Sequence, residues 1–236
     1  MSAEPKLSVV IPLYNEEDNI GQLQEELSRA LADIPHELLL VDDGSTDATV
    51  ARIQRAPHVR VLEFEKNAGQ SAAMHAGIHA ARAPVIATLD GDLQNDPADI
   101  PAMIQRLDEG WDIVCGYRAQ RKDTWFKRLQ SRIANAVRSR FVGDGVRDTG
   151  CTLKVMRQEC REALLPFNGM HRFIPALIRS LGFRVTEMPV NHRPRVHGVS
   201  KYGFGNRAVR ATTDMLGIAW LNSRRVRYRV KPEEPA

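Results

Sequence analysis

The run Val85-Ile86-Ala87-Thr88-Leu89-Asp90-Gly91-Asp92-Leu93-Gln94 ends an apolar, β-type segment on two carboxylates spaced one residue apart. Residues i and i+2 of an extended strand point the same way, so Asp90 and Asp92 can share one hard cation. Gln94 adds a third oxygen on that side, and Gly91 lets a ligand approach the backbone. Mg²⁺ or Mn²⁺ held by such a set keeps open positions for phosphate oxygens. An isolated Asp-x-Asp is more often a solvated turn after a buried strand, so the elements around it must decide.

Those elements alternate. Leu7 to Pro12 reads as a buried strand, and Ile20, Leu23, Leu27 and Leu31 then fall on one face of a helix. Glu37 to Val41 is the next strand, ending in Asp42-Asp43-Gly44-Ser45-Thr46-Asp47, a turn rich in helix N-cap residues, before a helix to about Arg55. Strands at Val59 to Phe64, Val85 to Leu89 and Ile113 to Gly116 alternate with helices from about Gly69 to Arg82 and Pro97 to Glu109. The pattern predicts an α/β fold with a mostly parallel central sheet and helices on both faces. In such sheets ligands bind beyond the carboxyl ends of the strands. Tyr14-Asn15-Glu16, Asp42-Asp43-Gly44-Ser45 and Asp90-Gly91-Asp92 all fall at such ends.

With 236 residues, 43% of them hydrophobic, the chain can bury one substantial core. Cys115, Cys151 and Cys160 form no C-x-x-C pair, which argues against a disulfide framework or zinc knuckle and fits a reduced cytosol. No signal-like or spanning apolar segment is expected; the longest apolar run near the C-terminus is Met215 to Leu221. From Arg193 to Lys231 ten basic residues face the single acid Asp214, so an anionic partner is expected there. A nicotinamide dehydrogenase would need a Gly-rich turn after the first strand, where this chain has Pro12-Leu13-Tyr14-Asn15. A nucleic-acid module would leave the acidic strand ends unexplained, and no nucleic-acid partner is expected. His75 and His79 are helix-spaced, but no third metal ligand lies near them in sequence.

The ordered segments IPLYNEEDNI, LLLVDDGSTDAT, NAGQSAAMHAGIHAA and DGDLQNDP resemble the nucleotide-diphospho-sugar transferase (GT-A type) domain of the family 2 inverting glycosyltransferases. Within them the chain is most similar to the polyprenyl-phosphate sugar transferase branch, which includes dolichyl-phosphate mannosyltransferase. The resemblance covers roughly residues 6 to 205. It implies a GT-A domain over 1–203 and a basic amphipathic extension over 204–236. It implies that Pro12, Tyr14, Glu16 and Asp43 hold the nucleoside, with Asp42 and Asp43 both open as the acid concerned. It implies that Asp90, Asp92 and Gln94 hold the metal and the donor diphosphate. A divalent cation would stabilise the leaving nucleoside diphosphate, and a single displacement would invert the anomeric carbon with no protein nucleophile.

Transfer to a hydroxyl usually needs a carboxylate base, and Gly169-Met170-His171-Arg172-Phe173-Ile174-Pro175-Ala176-Leu177 offers none. A phosphate monoester, with a second pKa of about 6, is already ionised. A polyprenyl phosphate acceptor is therefore expected. Transfer to a glycan or lipid hydroxyl, with His171 as base, and a sugar-nucleotide-binding protein without catalysis are the alternatives. The resemblance turns Arg118 and Arg132 toward the lipid phosphate, and closes Arg193, Arg195 and Lys201 over the donor diphosphate. Asp92, Arg118 and Lys201 are the expected catalytic group. Phe126, Leu129, Ile133 and Val137 fall at helical spacing among basic residues, and the region after Phe204 repeats the theme. Each such helix faces either the core or an anionic membrane surface, and peripheral attachment at the inner face of the cell membrane is favoured. The sequence leaves open a homo-oligomer, the sugar, and a UDP or GDP donor.

Overall fold

The computed structural model describes residues 4–119, 142–143, 145–194 and 207–226. Seven strands form one sheet: β1 (Leu7–Leu13), β2 (His36–Asp42), β3 (Val59–Glu63), β4 (Val85–Thr88), β5 (Ile113–Arg118), β6 (Lys154–Arg157) and β7 (Val185–Val190). Their order is β3-β2-β1-β4-β6-β5-β7. All neighbours run parallel except around β6, which lies antiparallel between β4 and β5. Helices α1 (Ile20–Ala30), α2 (Thr49–Arg52), α3 (Gln70–Ala80) and α4 (Ile100–Asp108) connect the first five strands. Helix α5 (Ile174–Ser180) precedes β7, and α6 (Arg207–Arg224) follows it.

The parallel strands are apolar on both faces because both faces are covered. Along β1, Leu7, Val9, Ile11 and Leu13 pack into one core with α1 and α4, while Val10 enters the other with α3 and α5. Ile20, Leu23, Leu27 and Leu31 are fully buried, as their spacing predicts. Small differences have local causes. Helix α2 stops at Arg52 because Ile53 is extended, and the segment expected to be helical from Pro97 opens with a 3₁₀ turn, Pro97–Asp99, capped by Asp96.

The helix expected within 204–236 is α6, and its apolar residues divide between two directions. Ile218 is buried in the core shared with α5, with Met215 and Leu221 packed against it. Leu216 and Trp220 point outward, 52% and 64% exposed. Arg225 is a structural staple: its guanidinium donates to the Leu177 and Ala163 carbonyls and to Ser180 Oγ. No helix among the described residues is long and apolar enough to cross a membrane. The amphipathic segment around Phe126 to Val137 lies outside the described residues.

One buried ion pair ties the early strands together. Ser8 Oγ donates to Glu37 Oε1 at 2.6 Å, Arg60 Nη1 to Oε2 at 2.8 Å, and the Arg82 N–H to Oε1 at 2.8 Å. Burial alone would raise the Glu37 pKa, but these bonds outweigh it and hold it below the ordinary 4.5. Its stabilisation is therefore full above that value and is lost as pH falls through the folded pKa. Glu37→Gln should cost about 2 kcal/mol at pH 7. Urea unfolding should show the gap from the parent protein narrowing below pH 4.5.

Candidate active site

The cleft forms where the carboxyl ends of β2, β1, β4 and β5 come together. The Asp43 N–H donates to the Leu13 carbonyl at 2.8 Å, and the Leu89 N–H to the Val10 carbonyl at 3.2 Å. Half-buried Pro12, Tyr14 and Glu16 stand at the end of β1. Asn15, at φ +53°, turns the chain there; its N–H donates to Ser45 Oγ at 2.9 Å, and its Oδ1 accepts the Thr46 N–H at 2.8 Å. Glu16 starts α1: its carbonyl accepts the Asn19 and Ile20 N–H groups, and its carboxylate accepts from Asn19 Nδ2 at 2.7 Å. The three strand-end clusters expected from the sequence thus share one rim.

The two acids of the second cluster have different surroundings. Asp43 is spent on the loop before α3, accepting from Asn67 Nδ2 at 2.9 Å and from the N–H groups of Ala68 at 2.7 Å and Gly69 at 2.9 Å. Gly44, at φ +71°, is required between them and Ser45, since a Cβ there would lie 2.8 Å from the Asn67 backbone nitrogen. Asp42 Oδ2 accepts the Ser45 N–H at 3.0 Å, while its Oδ1 is buried without a partner. A buried oxygen left unpaired costs about 1–3 kcal/mol, so of the two acids Asp42 is the one with an unused acceptor.

Beyond β4, Asp90 and Asp92 flank Gly91, where a Cβ would sit 2.7 Å from Leu13 Cδ2. The glycine is therefore needed for packing against β1. Asp92 is buried, and its Oδ1 accepts the Gln94 N–H at 3.2 Å across Leu93, which adopts φ +61°. Left-handed backbone at a non-glycine residue is strained, and such strain clusters at functional sites. Asp90 keeps some solvent access, yet burial first, and the Asp92 charge second, push its pKa up to about 6. Gln70 Nε2 holds Asp90 Oδ1 at 2.7 Å, and the Thr152 hydroxyl, which lies near Asp90 and helps offset the rise, donates to Asn95 Oδ1 at 2.9 Å.

These residues fit a divalent cation. The Asp92 carboxylate lies close enough to disfavour the charge on Asp90, which a cation between them would relieve. Gln94 turns its Nε2 toward the Arg193 carbonyl at 3.5 Å, leaving its amide oxygen available. No group of three or more His, Cys, Asp or Glu side chains able to hold a metal lies among the described residues, so other oxygens would complete the shell.

On β5, Arg118 faces this group from across β6. Asp148 holds it by two parallel bonds, Nε to Oδ2 at 2.7 Å and Nη2 to Oδ1 at 2.8 Å. That pairing, more than any other cause, raises the pKa of Arg118, and Asp90 also acts on it. Gly150 makes room, since a Cβ there would lie 2.9 Å from Nη2. Arg193 has a different geometry from the one expected. Its guanidinium reaches Glu26 at 2.6 Å and Asp96 at 2.8 Å, and its N–H donates to the Gln94 carbonyl at 2.9 Å. It fastens the chain after β7 to the Asp90–Gln94 segment, and would have to leave both acids to meet a diphosphate. Arg132, Arg195 and Lys201 lie outside the described residues.

Two neighbours carry no sequence signal. Thr152 and Asp148 reach the cleft from far along the chain, whereas Gln70 lies in the segment NAGQSAAMHAGIHAA without a role assigned to it there, and only an isolated Lys in the apolar run Leu153 to Met156 hints at a buried cation. That residue, Lys154, is 1% exposed, donates to the Cys151 carbonyl, and acts electrostatically on both Asp90 and His171.

The sheet, its helices and the acid-bearing strand ends define a GT-A glycosyltransferase fold. The chain belongs to Glycosyl transferase family 2, whose description matches residues 8–165. It is 42% identical over 238 residues to a dodecaprenyl-phosphate galacturonate synthase of Rhizobium johnstonii, spanning 96% of this chain and 69% of that protein. An undecaprenyl-phosphate 4-deoxy-4-formamido-L-arabinose transferase of Edwardsiella ictaluri is 38% identical over 204 residues, 84% of this chain and 63% of that protein. The relatives are thus polyprenyl-phosphate sugar transferases, each longer than the part this chain spans. Among solved structures, glucosyl-3-phosphoglycerate synthase of Mycobacterium tuberculosis with Mn2+, UDP and phosphoglyceric acid shares the fold. Its TM-score is 0.67 at 21% identity, over 92% of this chain and 78% of that one.

Proposed function

We propose that the protein moves a sugar from a nucleoside-diphosphate donor to the phosphate of a polyprenyl phosphate, inverting the anomeric carbon. The observation that carries this reading is the placement of Asp90, Asp92 and Gln94 opposite Arg118 in one cleft, a cation-binding set facing an arginine. The names of the two relatives support the polyprenyl phosphate acceptor.

Asp90, Asp92 and Gln94 would hold Mg²⁺ or Mn²⁺, which supplies stabilisation of charge on the leaving diphosphate. Asp42 Oδ1 is the oxygen offered to the nucleoside, in place of the occupied carboxylate of Asp43. Tyr14 and Glu16 line the same strand end. Arg118 orients the acceptor phosphate, one oxygen of which attacks the anomeric carbon as the bond to the diphosphate breaks. That oxygen is already ionised near neutral pH, so no residue is asked to remove a proton. The outward Leu216 and Trp220 of α6 suit a helix lying on a membrane surface, where the acceptor resides. Lys201 and Arg195, which follow Arg193 in the sequence, remain the proposed cover over the diphosphate.

The test is transfer of label from UDP-galacturonic acid, UDP-4-deoxy-4-formamido-L-arabinose, UDP-glucose and GDP-mannose to undecaprenyl phosphate, with Mn²⁺ or Mg²⁺ and again with chelator. A chelator-sensitive lipid product is expected from one donor. Product with a hydroxyl acceptor alone, or donor binding with no product from any pair, would overturn the reading. In the productive reaction, Asp42→Ala should raise the KM for the nucleotide sugar by about 10-fold or more, leaving the KM for the lipid phosphate close to that of the parent.

A further inference from the structure

Ser71, in the first turn of α3, meets His171 although 100 positions separate them: Oγ and Nδ1 lie 2.8 Å apart. The same Oγ accepts the Gly169 N–H at 2.9 Å. Ser71 is buried, and Nδ1 is the one acceptor for its hydroxyl hydrogen among the described residues. A hydroxyl has one hydrogen to give and two lone pairs to offer. If Nδ1 carried the ring hydrogen, Oγ would accept twice and its own hydrogen would be buried unpaired, which is disfavoured. The arrangement that satisfies every group has Ser71 donating to Nδ1, so the ring hydrogen sits on Nε2.

Nε2 has no hydrogen-bond partner among the described residues, and His171 is partly exposed. The residue stands close to the cleft. Ser71 follows Gln70, the residue that holds Asp90, and Lys154 acts on both Asp90 and His171. The charges facing the ring are Lys154 of β6 and Arg172, itself paired with Asp214 of α6 at 2.8 Å. Burial, followed by these two cations, lowers the pKa of His171 to about 4, so the ring is neutral at physiological pH.

We propose that His171 is a neutral hydrogen-bond donor to a phosphate oxygen of the bound substrates, locked as its Nε2–H tautomer by Ser71, and is not the base of the reaction. The assignment rests on the transfer reading above. A donor without charge suits this wall of the cleft: it adds a directed contact to an anion where Lys154 and Arg172 already disfavour a third cation. The hydroxyl-acceptor alternative loses its candidate base, because the nitrogen not held by Ser71 carries a hydrogen.

The test begins with the full-length protein labelled with ¹⁵N-histidine. Long-range proton–nitrogen NMR at pH 7 should give a protonated Nε2 and an unprotonated Nδ1 for His171, a preference that Ser71→Ala weakens. Adding UDP with Mg²⁺, or undecaprenyl phosphate in detergent, should move the Nε2 resonance, and the ligand that does so identifies which phosphate is met. An Nδ1–H tautomer, an imidazolium at pH 7, or an Nε2 unmoved by either ligand overturns the proposal. In the transfer assay, a glutamine amide can replace Nε2–H but cannot act as a base. His171→Gln should therefore stay within about threefold of the parent, while His171→Ala raises one substrate's KM by about 10-fold. Equal, severe losses in both variants, or no loss in the alanine variant, would overturn the assignment. Failure of the unaltered protein to make lipid product would instead count against the transfer reading, because the tautomer and ligand titrations are read without turnover.

Discussion

Replacing Asp92 with alanine is expected to abolish sugar transfer without loosening the fold. Asp92 is buried beside Asp90 and is the second cause, after burial, of the raised Asp90 pKa of about 6. Removing it takes away a like charge, so Asp90 should ionise more readily, which offsets the loss of the acceptor for the Gln94 N–H and should keep the unfolding temperature within a few degrees of the parent. What it loses is one of two carboxylates able to hold a cation, and with it the charge that would oppose the leaving diphosphate. A drop of more than about 10³-fold in kcat/KM is expected, the scale of losing a principal electrostatic stabiliser of the transition state. Metal binding gives a readout apart from turnover. Mn²⁺ at 100 times its Kd should stabilise the parent by about 2.7 kcal/mol in thermal unfolding, and should not stabilise the variant. Normal turnover in Asp92→Ala, or an unchanged response to Mn²⁺, would remove the metal assignment.

How far this site was legible in the sequence depends on the range of the interactions that make it. Asp90, Asp92 and Gln94 follow one strand, and alternation along that strand is a local property, so their spacing carries the information. Ile20, Leu23, Leu27 and Leu31 were legible for the same reason. The direction of β6 was not. A four-residue apolar run has no mark of polarity, and only pairing with Thr88 on one side and Cys115 on the other makes Lys154 antiparallel and central. The choice between Asp42 and Asp43 was closed to sequence because the backbone N–H groups that occupy Asp43 come from residues 68 and 69, in another connection. Basic residues were hardest to read, since charge gives no direction. Arg193 turns to Glu26 and Asp96, and Arg225 to backbone carbonyls, where composition alone suggests a uniform anion-binding surface.

Arg118 is the basic residue for which geometry supports a substrate role, and Arg118→Ala should lower use of the lipid phosphate by about 10²- to 10³-fold, chiefly through its KM. Asp148 fixes the guanidinium through Nε and Nη2, so the side chain is already oriented before a ligand arrives. Nη1 has no partner among the described residues, and a phosphate oxygen there would extend the same planar fork. The alanine variant loses that contact and also leaves the Asp148 carboxylate without its main cation, near Asp90 and close to the incoming anion. These two effects separate in a double variant. Arg118→Ala with Asp148→Asn should regain the thermal stability lost by the single variant, because the charge that the guanidinium balanced is gone as well, yet should recover little of the lipid-phosphate KM. Arg118→Lys should also fail to rescue transfer, since a point charge cannot keep both bonds to Asp148 and present a further planar N–H to phosphate. Steady-state kinetics with undecaprenyl phosphate and thermal unfolding of the four proteins would decide. Full recovery of activity in the double variant would mean that Arg118 serves only to neutralise Asp148.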